Sequence, residues 1–233
     1  MKYINLGIVT DYTLLSSLIK IDDLIDYAIK NKIETIGILN DNLYSTMEFY
    51  IKCKNNNIKP IVGLINKNSD EEYYLYPKNY DGLIDLFNNR FESDNVVAVI
   101  PYISIDIYDK VLNKCKYISY KNKEELKNAL LISNNVLSLT KVYGFGKNDV
   151  KYVNYLHIID KGLTISNYSF DDFSDNILDK KYDEDKLMED VLELNILDFV
   201  SNEDNYEITT SPDRFLEVKE KLNELGYNEF LVS

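Results

Sequence analysis

Short apolar runs of strand length recur along the first two thirds of the chain, and between them apolar residues fall at helical spacing. That alternation constrains the fold more than any other feature, because it is the pattern of an α/β domain. Residues 4–9, 35–39, 60–64, 72–76, 96–100 and 116–120 read as strands. Ile21, Leu24, Ile25, Ala28 and Ile29 recur three and four apart, so they line one helix face. Residues 45–54 repeat the pattern with Met47, Phe49, Tyr50 and Ile51, until Asn55, Asn56 and Asn57 stop it. Further helices are expected over 82–88, 105–113, 123–130 and 148–160. No fixed-period repeat is evident, which argues against a solenoid.

Apolar residues make up 45% and charged residues 28% of the 233, the balance of a folded protein. No apolar run approaches the roughly 20 residues needed to span a bilayer. The start MKYINLGIV lacks the layout of a signal peptide, so a cytoplasmic location and no membrane association are expected. Cys53 and Cys115 form no Cys-x-x-Cys pair and read as small buried hydrophobes.

Formal net charge is −13, which argues against broad attraction to nucleic acid, whose phosphates need Lys and Arg. The charge is uneven. Residues 183–233 hold 15 Asp and Glu against 4 Lys and Arg, whereas residues 1–182 hold 24 against 22, so two modules are expected. Residues 163–182, rich in Ser, Asn and Asp, read as a linker or an extended docking arm. Beyond them, a helix over 183–194, strands over 199–201 and 206–210, a helix opened by Ser211, Pro212 and Asp213 and ended by Gly226, and a strand over 227–232 suit a small α/β sandwich.

The opening stretch Asn5-Leu6-Gly7-Ile8-Val9-Thr10-Asp11-Tyr12-Thr13-Leu14-Leu15 resembles the first strand and loop of a PHP domain, as found at the front of the bacterial DNA polymerase III alpha subunit. That family reads His-x-His-x-His-[Ser/Thr]-[Glu/Asp]-Tyr-[Ser/Thr]-Leu-Leu, and its histidines hold catalytic metal. Ile36-Gly37-Ile38-Leu39-Asn40-Asp41-Asn42 followed by Met47-Glu48-Phe49-Tyr50, then Lys59-Pro60-Ile61-Val62-Gly63, Tyr76-Pro77-Lys78-Asn79-Tyr80-Asp81-Gly82 and Leu156-His157-Ile158-Ile159-Asp160-Lys161-Gly162 resemble later landmarks in order. The resemblance covers residues 2–166 and implies a distorted β/α barrel of the TIM type.

The ligand positions depart from the family. Asn5, Gly7 and Val9 stand for the three histidines, Asn40 for an Asp, Asp41 for a His, and Leu64 or Ile65 for a Glu. Near Thr140, the family's Asn-Asp-x-His places Lys141 on the Asp and Tyr143 on the His. Metal sites need imidazole, carboxylate or thiolate donors, so no metal, no other cofactor and no catalytic residue is expected. A Lys141 ammonium in the vacated space would balance Asp11 or Asp41. The vestigial positions are thus Asn5, Gly7, Val9, Asp11, Asn40, Asp41, Lys141 and Tyr143.

His157, the one histidine, lies in an apolar helix and favours a packing role over a catalytic one. Gly144-Phe145-Gly146-Lys147-Asn148-Asp149 has the look of an anion-binding loop but lacks the Walker pattern, so a turn capped by Asn148 or Asp149 is expected. Tyr73, Tyr74 and Tyr76 are flanked by Asp70, Glu71 and Glu72, which suits strand packing better than base stacking.

The segments from Asp183 to Glu193 and from Tyr206 to Val218 resemble the last domain of the YebC family of transcriptional and translational regulators. The basic domain through which that family is thought to touch nucleic acid has no counterpart here, so direct nucleic-acid binding is not expected. The resulting expectation is a degenerate PHP-like domain (1–166), a linker (167–182) and a YebC-like acidic domain (183–233). It would act as a non-catalytic structural or protein-binding element, with a partner in the replication or translation machinery. No segment can be assigned to nucleotidyl transfer. The alternatives are a metal-dependent PHP phosphoesterase rebuilt around Asp11, Asp41 and His157, and a YebC-like regulator of transcription or translation.

Overall fold

The computed structural model describes residues 4–68, 71–165, 170, 173, 176–178, 184–194, 196–201, 206–225 and 227. The chain forms two compact units, Met1–Asp179 and Lys180–Ser233.

The first unit is a six-stranded sheet in sequential order: β1 (Thr35–Asn40), β2 (Lys59–Asn68), β3 (Glu71–Pro77), β4 (Val96–Pro101), β5 (Cys115–Tyr120) and β6 (Val136–Ser138). Only β3 runs against its neighbours; the other pairings are parallel. α1 (Ile21–Lys30) precedes β1, α2 (Thr46–Asn55) crosses from β1 to β2, α3 (Tyr80–Phe87) joins β3 to β4, α4 (Lys123–Leu130) crosses from β5 to β6, and α5 (Lys147–Asp160) follows β6. In α1, Ile21, Leu24, Ile25 and Ala28 are buried, while Asp22 and Asp23 in the first turn and Lys30 in the last suit the helix dipole. Asn79 and Asn122 cap α3 and α4, accepting hydrogen bonds from the Gly82 and Glu125 N–H groups at 2.9 Å.

The sheet has two apolar faces. Ile36, Ile38, Phe49, Cys53, Leu24 and Ala28 pack strands against α1 and α2. On the other face Leu39, Ile61, Ile65, Tyr74, Tyr76, Val97, Val99, Tyr117 and Leu137 of the strands pack together, joined by Leu6 and by Leu139 just after β6. A sheet whose concave side is filled by its own side chains is a curled, barrel-like one.

Residues 4–9 form no extended strand. Ile8 alone makes parallel bridges, to Ile38 of β1 and to Val142 beyond β6. The Leu39 N–H donates to the Ile8 carbonyl at 2.7 Å and the Val9 N–H to the Val142 carbonyl at 2.9 Å, so this short segment links the two ends of the sheet. Its ladder stays short because the Asn5 side-chain oxygen takes the Gly7 N–H at 3.0 Å. The helix expected over 105–113 is instead a 3-10 stretch, Tyr102–Ile107, interrupted by non-helical backbone at Ser104. The β-branched Ile103, Ile105 and Ile107 lower the helix propensity of this stretch.

The second unit comprises α6 (Glu184–Leu192), the antiparallel pair β7 (Asp198–Ser201) and β8 (Tyr206–Thr209), a 3-10 turn Pro212–Arg214, and α7 (Phe215–Glu224). Leu187, Val191, Leu194, Val218, Leu222 and Tyr227 form its core, and the Tyr227 hydroxyl donates to Asp190 at 2.5 Å. Ser211 begins the helical stretch through its backbone, with no side-chain cap bond. The expected terminator Gly226 and all of the expected last strand except Tyr227 lie outside the described residues. Among the described residues no helix is long and apolar enough to cross a membrane.

Candidate functional site

Ile8 packs toward the helices and Leu6 joins the concave cluster, and between them Gly7 lies against Thr140 and Leu139. A Cβ at Gly7 would run into the Thr140 carbonyl oxygen and crowd the Leu139 side chain, so this position admits no side chain without moving the chain beyond β6. Val9 is buried and apolar, and the Asn5 amide is turned back onto its own segment. On β2 it is Ile65, and not Leu64, that joins the concave cluster.

At the end of β1, Asn40 is 1% exposed and fully bonded. Its oxygen accepts from the Thr10 N–H at 2.8 Å and the Thr13 hydroxyl at 3.2 Å, and its amide donates to Thr10 Oγ1 at 2.8 Å and Ser45 Oγ at 3.0 Å. Asn40 therefore ties the Thr10–Leu15 loop to β1 and the start of α2. Asp11 and Asp41 are exposed. Burial raises the Asp11 carboxyl above its ordinary value despite Lys20 nearby, and Asp41 accepts from the Asn42 amide at 2.7 Å. Beside them Glu48 accepts from the Tyr12 hydroxyl at 2.5 Å and pairs with Lys52 at 2.6 Å, and Lys52 also reaches Asp22 at 2.5 Å.

Lys141 balances neither Asp11 nor Asp41. Its ammonium lies 2.7 Å from Glu72 Oε1, and Glu72 also accepts from the Tyr74 hydroxyl at 3.0 Å. Both side chains of the pair are about three-quarters buried, with 25% and 23% exposure. Burial alone would raise the Glu72 carboxyl, but the Lys141 charge and hydrogen bond hold it below the usual value. Burial would likewise lower Lys141, and the Tyr143 hydroxyl and Glu72 more than offset it. The family alignment carried no signal for Glu72. The signal available was the alternation on β3, which puts Glu72, Tyr74 and Tyr76 on one side. Tyr76 fills the concave space further, its ring against Gly63 and its hydroxyl donating to the Leu6 carbonyl at 2.9 Å.

Tyr143 stands edge-on to His157 and Phe173 at 5.5 and 5.7 Å between ring centroids, and His157 stands edge-on to Phe173 at 4.9 Å. His157 is thus packed in an aromatic group. At the start of α5, Asp149 accepts from the Phe145 and Gly146 N–H groups at 2.7 and 3.2 Å, so a carboxylate from the chain itself fills the place of an anion.

The eight positions do not make a metal site. Gly7 has no room for a donor, Val9 has none, Asn40 spends its amide on four hydrogen bonds, and an ammonium occupies the place of a carboxylate at Lys141. Among the described residues, no three His, Cys, Asp or Glu side chains form a group that could hold a metal ion. A metal of the kind the PHP family uses does not fit these residues.

A curled, mainly parallel sheet with helical crossovers, closed through Ile8, defines a distorted β/α barrel. The PHP domain family model matches residues 6–148, and the chain belongs to that family. Residues 160–233 match the TACO1/YebC second and third domain. The chain is 31% identical to DNA polymerase III subunit alpha of Ureaplasma parvum over 150 residues, covering 63% of this chain and 15% of that protein. The same-named protein of Staphylococcus aureus strain COL is 33% identical over 113 residues, covering 46% and 10%. That of Mycoplasma genitalium is 30% identical over 125 residues, covering 49% and 14%. The chain therefore spans only 10–15% of the length of these curated relatives.

Proposed function

We propose that this chain is a non-catalytic PHP-like protein whose barrel serves as a structural, protein-binding element of the cytoplasm, with its YebC-like segment as a second module. The observation that carries this reading is the Lys141–Glu72 ion pair, which sets an ammonium where the PHP resemblance expects a carboxylate ligand. The likeness to DNA polymerase III subunit alpha supports a partner in replication. A phosphoesterase assay of the purified chain with zinc or manganese tests it. No turnover above background is expected. Turnover that disappears in Asp41→Ala would overturn the reading in favour of a rebuilt metal-dependent site.

The match of residues 160–233 to TACO1/YebC supports a second reading, a regulator acting on transcription or translation through a protein contact. Co-sedimentation of the chain with ribosomes would favour it over a replication role.

A further inference from the structure

Residues 173 and 176–178 fall beyond the PHP match and inside the TACO1/YebC match, yet they bond to the barrel. The Tyr143 N–H donates to the Asn176 carbonyl at 2.8 Å, and the Leu178 N–H donates to the Gly144 carbonyl at 3.0 Å. Gly144 and Ile177 form a parallel bridge between them. The Asn176 side-chain amide donates to the Lys141 carbonyl at 2.6 Å. Ile177 is 3% exposed, Leu178 packs on the cluster between the sheet and α1, and its carbonyl accepts from the Tyr27 hydroxyl at 3.4 Å. Phe173 completes the aromatic group with Tyr143 and His157. The segment from Lys141 to Gly144 is thus held on one side by Gly7 and Ile8 and on the other by Asn176 to Leu178.

We propose that Phe173 and residues 176–178 act as an internal clasp: a strap that fixes the backbone of residues 141–144, and with it the Lys141–Glu72 pair, and that opens as a local unit while the sheet stays folded. Backbone bonds supply the affinity and the Phe173 and Ile177 side chains supply the register, the physics of strand addition to an open edge. Three observations make it a separately opening element. Its described residues are few, their hydrogen bonds run to Tyr27, Lys141, Tyr143 and Gly144, and among the described residues it enters none of the six paired strands. The clasp makes the seating of Lys141 depend on chain that the PHP match does not include. It does so whether or not the barrel has catalytic capacity, so its failure and the failure of the functional reading are separable.

Amide hydrogen exchange on the full chain tests it. The Tyr143 and Leu178 amides are expected to be protected, and to exchange together faster than the amides of β3. In Phe173→Ala both should accelerate by about tenfold or more while β3 keeps its rates. Should Phe173→Ala loosen the whole chain, Asn176→Ala gives the decisive comparison, because it removes only the side-chain bond to Lys141. Unprotected Tyr143 and Leu178 amides in the unaltered chain would overturn the proposal. So would acceleration spread equally over β3 in both variants.

Discussion

Glu72 at the head of β3 and Lys141 beyond β6, 69 positions apart in sequence, meet at 2.7 Å in the curled sheet. Their meeting ties the one antiparallel strand to the closing segment, and it leaves each charge with a partner in a space mostly shut off from water.

Lys141→Met should destabilise the first unit by about 2 kcal/mol in urea unfolding at pH 7, since it strands the Glu72 carboxylate. Glu72 is held below its ordinary 4.5, so its contribution is present above that value and lost as pH falls through the folded-state value. Lys141 is raised above 10.5, so its contribution is full below that value and lost as pH climbs through its folded-state value. The stability gap between wild type and Lys141→Met should accordingly be widest between about pH 5 and 10 and narrow on acidification.

Gly7→His restores the family residue but not its site. Its Cβ meets the Thr140 carbonyl oxygen, so the variant should lose about 3 kcal/mol or more and gain no zinc. Equilibrium unfolding with and without added zinc measures both.

Asn40→Ala removes a buried amide with four hydrogen bonds, which the Thr10 N–H and the hydroxyls of Thr10, Thr13 and Ser45 then lose. A loss of about 2–3 kcal/mol is expected, with loosening confined to the Thr10–Leu15 loop and the start of α2 in hydrogen exchange.

Burial pushes the Cys53 thiol up to about 12, and its side chain has no solvent exposure. A thiol reagent at pH 8 should leave Cys53 unmodified in the native chain and modify it in denaturant, as peptide mapping would show.

The paired strands β1 to β5 and the helices α1 to α5 were legible because their apolar residues keep periods of two or near 3.6. Gly7 and Val9 carry no side-chain donor atom, which residue type alone tells. Glu72 was not legible, because its partner is set by how the sheet closes and not by anything near it in sequence. Residues 163–182 read as a linker or docking arm for a related reason: the bonds of Asn176 and Leu178 to Tyr143 and Gly144 are backbone bonds, which leave little trace in side-chain pattern. β6, at three residues, is too short to show a period. The 105–113 segment misled because Ile107 and Val111 fall four apart, as on a helix face, while β-branching opposes a helix.

In the proposed reading, the chain's own side chains close the positions that the PHP resemblance gives to metal ligands. Elemental analysis of the purified full chain, paired with unfolding in the presence and absence of chelator, tests it most directly. The account predicts less than about 0.1 zinc, manganese or iron per chain and an unfolding midpoint that chelator does not move. About one or more tightly held ions per chain, with the midpoint falling when they are removed, would contradict it.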